Sequence, residues 1–382
     1  MRHVTLSISV SLLVLMAVSR ARALSDFEAA QVVIGQTDFT SGDCNQSGGN
    51  PAANTLCSPS GAAGTGKKLL YLADANNARV LGFKKDPKTN GASANFVLGQ
   101  TNFSNTNRGD GQSSLGFPSG VKVAGKKLLV VDFDNSRVLI WNKLPTKNDT
   151  PANVVVGQPG FNSGTAATTQ SGLDRPEVGV TVAKGKLFIS DRNNNRIMIW
   201  NKIPTTNGAN ADVVLGQTDF TSSGFATSQT GLNEPEGIWS DGTKLAVADF
   251  FNSRVLIWNS IPTSNGAPAD VVVGQPDFTS ADNSTLNAQS LNEPGDVTSD
   301  ATSLFVADSR NNRILVYSPF PTSNNPTATH VLGQADFTHN LSNLGNLAPS
   351  AQSLSFPFGI SLKGSDLIVD DESNARFLIF GL

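Results

Sequence analysis

The residues of this sequence most able to carry chemistry are aspartate, asparagine and arginine side chains that recur with one spacing. One functional interpretation is a ring of carboxylates that binds calcium, because carboxylate and amide oxygens are calcium ligands. The interpretation we favour is structural: Asp and Asn bond to turn backbone, and Arg reaches carbonyls or the Asp. Asp-x-x-Asn-x-Arg occurs six times, as Asp74/Asn77/Arg79, Asp132/Asn135/Arg137, Asp191/Asn194/Arg196, Asp249/Asn252/Arg254, Asp308/Asn311/Arg313 and Asp371/Asn374/Arg376.

Few other side chains in the sequence could support catalysis. Beyond Ala23 the only histidines are His330 and His339, and no nucleophile elbow, Cys–His pair or phosphate loop is apparent. Cys44 and Cys57 are the only cysteines and fall within one predicted loop. In an oxidising compartment we expect them to form a disulfide, with two free thiols as the alternative. A zinc site built on two cysteines alone is a weak hypothesis, because zinc normally takes four ligands.

The strands and turns that position these residues repeat six times along the chain. Leu-x-x-Pro, Asp-x-x-Asn-x-Arg and Gly-Gln-x-x-Phe recur in fixed order, and the motif arginines follow one another at an almost constant spacing. Each unit contains four short apolar runs, which we call strands A to D, separated by turn residues. Six such units predict an all-β fold, a six-bladed β-propeller of four-stranded antiparallel blades.

The two ends of the chain predict how this ring closes. The sequence ends on a strand C, residues 376–380, with no strand D after it. Residues 31–36 read as a strand D with no strand C before it. Pairing the N-terminal strand with the C-terminal blade would remove two exposed edges. We therefore predict that residues 24–382 form one closed propeller.

At this point the repeat resembles a known family. The segments 247–255 and 306–314 are similar to NHL repeats, and the similarity extends over residues 31–382. This resemblance implies ligands near the central channel, on the face that carries the B–C turns and the D–A crossings. The family includes an amidating lyase whose zinc ion is held by several histidines. The two histidines beyond Ala23 are too few to form such a site. A lactonase-like, calcium-dependent hydrolase is the alternative function, with Glu234, Glu236 and Asp296 as weak metal candidates.

Ligand-binding candidates are the residues at which this face departs from the repeat. Beside the proline that begins strand A, acidic residues fall in units three to five and aromatic residues in units two and six. We therefore expect a channel mouth with an acidic side and an aromatic side, suited to a cationic or amphipathic ligand or a protein loop. The alternative is a set of solvated loops. The candidates are Phe117, Phe133, Glu177, Arg192, Glu234, Glu236, Phe250, Phe251, Glu293, Arg310 and Phe356.

The segment 1–23 has the layout of a signal peptide. An apolar run from Val4 to Val18 precedes Ala21-Arg22-Ala23, which predicts cleavage after Ala23. The alternative is a membrane anchor, but the run is shorter than the roughly 20 residues that span a bilayer. Cleavage would leave 28 − 3 = 25 basic against 31 acidic residues, a charge of −6 that argues against a nucleic-acid partner.

These observations together predict a secreted protein, extracellular or periplasmic, with no membrane span. We expect a monomer that works as a binding module and presents one propeller face to a protein or glycan partner. No catalysis is evident from the sequence, and no cofactor is expected unless calcium binds.

Overall fold

A computed structural model describes residues 25–65 and 68–382. The predicted signal peptide, residues 1–23, lies outside the described residues. Within the described residues, 24 strands form six four-stranded antiparallel sheets, and in five of them the strands pair in chain order. These sheets are the blades of a six-bladed β-propeller, which confirms the predicted fold class. Among the described residues, no helix has the length and apolar character that a membrane crossing requires.

The strand bounds follow the predicted A-to-D order in every unit. After β1 (Val32–Ile34), blade one contains β2 (Pro59–Thr65), β3 (Leu69–Asp74), β4 (Arg79–Phe83) and β5 (Phe96–Leu98). Blade two contains β6 (Pro118–Ala124), β7 (Lys127–Asp132), β8 (Arg137–Trp141) and β9 (Val154–Val156). Blade three contains β10 (Val180–Ala183), β11 (Lys186–Asp191), β12 (Arg196–Trp200) and β13 (Val213–Leu215).

The second half of the ring repeats this arrangement. Blade four contains β14 (Pro235–Ser240), β15 (Leu245–Asp249), β16 (Arg254–Trp258) and β17 (Val271–Val273). Blade five contains β18 (Pro294–Ser299), β19 (Leu304–Asp308), β20 (Arg313–Tyr317) and β21 (His330–Leu332). Blade six contains β22 (Pro357–Lys363), β23 (Asp366–Asp371) and β24 (Arg376–Gly381). In blades two to six the B–C turn is one turn of 3-10 helix, at Phe133–Asn135, Arg192–Asn194, Phe250–Asn252, Ser309–Asn311 and Glu372–Asn374.

The ring is closed by strands from the two ends of the chain. Strand β1 is the outer strand of blade six and pairs antiparallel with β24, with Val33 opposite Leu378. Both of these side chains are fully buried. The predicted closure is therefore confirmed, and it covers an edge that would otherwise expose unpaired backbone groups.

Each Asp-x-x-Asn-x-Arg motif is a buried hydrogen-bond network that ties one blade to the loops on either side of it. In blade four, Arg254 Nε lies 2.7 Å from Asp249 Oδ2, and both side chains are fully buried. Asn252 Nδ2 donates to the same carboxylate oxygen over 2.8 Å. The two Nη atoms of Arg254 donate to carbonyls of the preceding crossing, at Ser228, and of the following one, at Phe278. The other five blades repeat the pair, as Asp74–Arg79, Asp132–Arg137, Asp191–Arg196, Asp308–Arg313 and Asp371–Arg376.

The other two motifs complete this network. The Gln158 side chain donates to the Ser136 carbonyl over 3.0 Å, next to the motif arginine of blade two. Gly157, which precedes it, has a φ of +92°, and a Cβ there would lie 2.6 Å from Leu173 Cδ1. Glycine is needed at this position because the chain turns sharply against the leucine of the next Leu-x-x-Pro motif.

The apolar core lies between the blades rather than within them. One cluster joins Leu129 and Ile140 of blade two to Leu187 and Trp200 of blade three, and all four side chains are buried. Trp200, which ends strand C of blade three, is therefore part of the core between the blades. Trp200 also donates its indole N–H to the Ala209 carbonyl over 3.0 Å, which satisfies its polar group.

Two local features complete the frame around the channel. Cys44 and Cys57 form a disulfide, as predicted, beside a turn at Asn45–Gly48 in the first D–A crossing, in which Gln46 and Ser47 have positive φ. Strand β10 has four residues, whereas the innermost strands of the other blades have six or seven. The reason is an extra residue between Pro176 and Gly179, which moves Val178 out of the regular pairing and toward the channel.

The motif arginines should be essential to stability. Replacing Arg254 by Met leaves the buried Asp249 carboxylate without its countercharge, so we expect the free energy of unfolding to fall by about 3–5 kcal/mol. Arg108→Met is the matched control, because this arginine pairs with Asp134 at the surface and its side chain is 47% exposed. Denaturant unfolding of both variants measures the difference, and similar losses would contradict a structural role specific to the motif.

Candidate functional site

One partly buried arginine gathers three glutamates at the mouth of the channel. Arg192 begins the B–C turn of blade three, and its Nε lies 3.1 Å from Glu177 Oε2 and 2.5 Å from Glu236 Oε1. Its Nη2 lies 2.5 Å from Glu234 Oε2. We call these four residues the Arg192 cluster. Three carboxyl groups share a single guanidinium, so the cluster has an excess of acidic groups.

Burial and crowding shift the ionisation of these carboxyl groups. Burial is the main cause that raises the pKa of Glu177 to about 7, against an ordinary value of 4.5, although Arg192 lowers it. Burial and then the Glu177 charge hold the pKa of Glu236 well above its usual range. Glu236 Oε2 is buried and has no hydrogen-bond partner within the described residues. Glu372, from the opposite side of the ring, also has a raised pKa because of burial and accepts a hydrogen bond from Ser58 Oγ.

Beside this cluster, apolar side chains close the channel. Val178, Phe250 and Phe358 are buried together, and the rings of the two phenylalanines are 6.2 Å apart. These residues come from blades three, four and six, so their contact crosses the channel axis. Phe356 stacks on Phe358 at 5.9 Å, and Phe251, which is 43% exposed, meets Phe250 edge-on at 5.1 Å. We call Val178, Phe250, Phe356 and Phe358 the aromatic plug.

The remaining mouth candidates form separate pairs. Phe117 and Phe133 of blade two lie 5.9 Å apart and do not reach the aromatic plug. Glu293 pairs with Arg310 Nε at 2.5 Å, outside the Arg192 cluster, and Arg310 lies over the ring of Phe356 at 5.8 Å. The mouth therefore has a compact acidic group beside a central apolar plug, with two peripheral pairs, instead of two facing sides. The aromatic plug extends across the ring because Phe250 of blade four, a unit with acidic candidates, packs against the phenylalanines of blade six.

The three metal candidates do not meet at one point. Glu234 and Glu236 belong to the Arg192 cluster, whereas Asp296 lies deeper in the channel. Its Oδ2 accepts the Ile360 N–H over 2.9 Å, and its Oδ1 accepts the Val297 N–H over 2.7 Å. Among the described residues, no group of three or more His, Cys, Asp or Glu side chains is placed to hold a metal ion. The calcium-dependent alternative stays a prediction.

Sequence analysis missed two charged residues near the channel. Lys122 lies on the innermost strand of blade two and lines the channel cavity. Asp370 is fully buried on β23, its Oδ1 has no hydrogen-bond partner in the described part of the chain, and burial and then the Glu372 charge hold its pKa well above the usual range. Lys122 is the only charged residue of its strand, and Asp370 stands where the other five blades carry an uncharged residue before the motif Asp, so a comparison of the repeats could have found both.

A larger groove lies on the same face, next to the seam where the ring closes. Its volume is about 750 Å³, and its lining includes Asp43, Asn343 and the fully exposed Leu347. The groove lies between the first and last D–A crossings. In both of these crossings 20 positions separate the motif Gln from the next motif Leu, against 15 in the crossing after blade one. The longer loops make this recess larger than those of about 340 and 260 Å³ at the crossings after blades two and one.

Comparison with known proteins finds no family for this chain. No family model matches the sequence, and no curated protein matches it either. The NHL resemblance therefore stays a prediction. Among solved structures, the crystal structure of the WD40 beta propeller domain of Doa1 is similar with a TM-score of 0.46 and 9% identity. The match covers 92% of this chain and 96% of that one.

The Arg192 cluster should make stability depend on pH. The folded pKa of Glu177 is about 7 and its ordinary value is 4.5, so its stabilising contribution is present below pH 4.5 and is lost as pH rises through 7. Glu177→Gln should therefore reduce the fall in the free energy of unfolding between pH 4.5 and 7.5. Denaturant unfolding across this range measures the slope, with Glu293→Gln as the control. A Glu177→Gln slope equal to that of the unchanged protein would contradict this assignment.

Proposed function

We propose that this chain is a binding module whose mouth face, formed by the B–C turns and D–A crossings, receives a cationic side chain from a protein partner. The observation that carries the proposal is the Arg192 cluster, in which three carboxyl groups face one guanidinium. Glu236 is buried, but the Glu234 and Glu177 side chains are 29% and 17% exposed, so their carboxyl groups can bond a second cation from solvent. An arginine or lysine of the partner would pair with these two carboxyl groups and offset the excess of acidic groups.

The aromatic plug supports the same partner chemistry. Phe251 is 43% exposed beside the plug, and Phe250 and Phe358 form a buried apolar floor beneath it. A guanidinium gains from the face of an aromatic ring, and the stem of an Arg or Lys side chain packs on apolar surface. The structure already contains one such contact, between Arg310 and Phe356. A long cationic side chain therefore suits both the Arg192 cluster and the plug.

A protein partner fits this mouth better than a neutral glycan does. A neutral sugar has no positive charge to offer to the carboxyl groups of the Arg192 cluster. The larger groove next to the ring-closing seam lies on the same face. Leu347 is fully exposed at the rim of this groove and offers an apolar contact typical of protein interfaces.

We also propose that the protein is secreted and belongs among NHL-type propellers. The disulfide between Cys44 and Cys57 supports an oxidising compartment, since such bonds are rare in reducing ones. The signal-peptide layout of residues 1–23 supports export. The repeat motifs of residues 31–382 support membership of the NHL-repeat family.

A capped tetrapeptide with one arginine tests the proposed function against its citrulline counterpart, which has the same shape without the charge. We expect the arginine peptide to bind at least tenfold more tightly, about 1.4 kcal/mol, by titration calorimetry. Its affinity should rise between pH 6 and pH 8, because Glu177, with a pKa of about 7, becomes ionised. Equal binding of the two peptides, or binding of a neutral tetrasaccharide in their place, would contradict the proposal.

Two variants locate that binding on the mouth. Glu234→Gln removes one carboxylate of the Arg192 cluster and should weaken the arginine peptide about tenfold, because one charged contact is lost. Asp241→Asn removes one carboxylate from an A–B turn on the opposite face. Asparagine can still accept the hydrogen bonds from the Thr243 and Lys244 N–H groups, so this control should bind as the unchanged protein does. Equal weakening by both changes would indicate only a general effect of net charge.

A further inference from the structure

The central channel contains a second site, separate from the mouth. All six innermost strands contribute to the lining of a cavity of about 100 Å³. Residues such as Val123, Thr298 and Leu362 place it in the half of the channel near the A–B turns. Val178 of the aromatic plug also lines the cavity, so the plug closes it toward the mouth. The cavity is therefore a well rather than part of a through-channel.

Two charged residues in this well break the repeat. Where blade five carries Asp296, the other five blades carry glycine, namely Gly61, Gly120, Gly179, Gly237 and Gly359. A Cβ at Gly237 would lie 2.0 Å from Asp296 Oδ1, so the neighbouring glycine makes room for this carboxylate. Two positions further along the strand, blade two carries Lys122, and no other blade has a charged residue there. The corresponding residues are Ala63, Thr181, Trp239, Thr298 and Ser361.

The two charges face each other across the ring without touching. Blades two and five are opposite in a ring of six, and Lys122 and Asp296 attract each other electrostatically. They form no direct ion pair or hydrogen bond, and the Lys122 ammonium donates to no acceptor in the described part of the chain. Ser361 Oγ, which also lines the well, is buried without a partner among those same residues. Unpaired groups of this kind are costly to bury, and a ligand or water between them would satisfy them.

We propose that this well binds a small zwitterion of the α-amino acid type, whose carboxylate pairs with Lys122 and whose ammonium group pairs with Asp296. The volume of the well suits such a ligand, because about 100 Å³ holds several water molecules or a ligand of five or six non-hydrogen atoms. The charges agree above pH 7, where Asp296 is ionised although burial raises its pKa to about 7, because opposite walls then carry opposite signs without a direct contact. Ser361 adds a hydroxyl that can donate to the carboxylate.

Three small probes test the proposal on the unchanged protein. Glycine carries both charges, acetate carries only the negative one and methylammonium only the positive one. By titration calorimetry we expect glycine to bind at least tenfold more tightly than either single-charge probe, and to raise the melting temperature with concentration. If acetate bound as well as glycine, the well would be an anion site. If no probe bound, it would hold only water. Either result would overturn the proposal.

Variants then assign the binding to the well. Lys122→Met and Asp296→Asn should each weaken glycine at least tenfold, and asparagine keeps an acceptor for the Ile360 N–H. Lys126→Met is the matched control, an exposed lysine on the turn that follows the Lys122 strand, and should leave glycine binding unchanged. Glycine binding that survives both well variants would overturn the proposal. If those variants do not fold, the comparison of the three probes still decides it. Loss of peptide binding at the mouth would leave this result unaffected.

Discussion

The buried Asp–Arg pair of each blade is the interaction on which this propeller depends. In every unit the arginine bonds one carboxylate and also bonds carbonyls of the crossings that enter and leave the blade. Blade four illustrates this with Asp249 and Arg254. A buried charge is tolerated only when its partner and its remaining hydrogen bonds are in place. The pair therefore fixes the loops on the mouth face as firmly as it fixes the strands.

Fixed loops allow the mouth to hold a crowded set of charges. Arg192 lies on a B–C turn next to the blade-three pair, Asp191 and Arg196, and its three glutamates lie beside the prolines that precede or begin the innermost strands of blades three and four. Three carboxyl groups lie around Arg192 there, and burial, with a smaller contribution from neighbouring carboxylates, raises the pKa of Glu177 to about 7. The proposed function rests on this excess of acidic groups, which would favour a cationic partner.

The channel divides into two sites because blades three and five depart from the common innermost strand. The extra residue in blade three turns Val178 toward the axis, where it meets Phe250 and Phe358 and separates the mouth from the well. In blade five, Asp296 replaces glycine and brings a carboxylate opposite Lys122. The same ring thus has an acidic mouth on one side of the plug and a well with opposite charges on the other.

The sequence by itself determined the number of blades, their strand order and the closure by β1 and β24, because these follow from local periodicity and from motifs repeated six times. The disulfide was an expectation that depended on an oxidising compartment, and the structure decided it against two free thiols. The sequence also identified Arg192 and its glutamates as candidates, since they vary where the scaffold is constant. Only the tertiary structure decided which of them meet. The contact of Phe250 with Phe358 and the placement of Lys122 opposite Asp296 both involve blades that are not consecutive in the chain. Such placements depend on the diameter of the ring and the angle between blades, which no single repeat encodes.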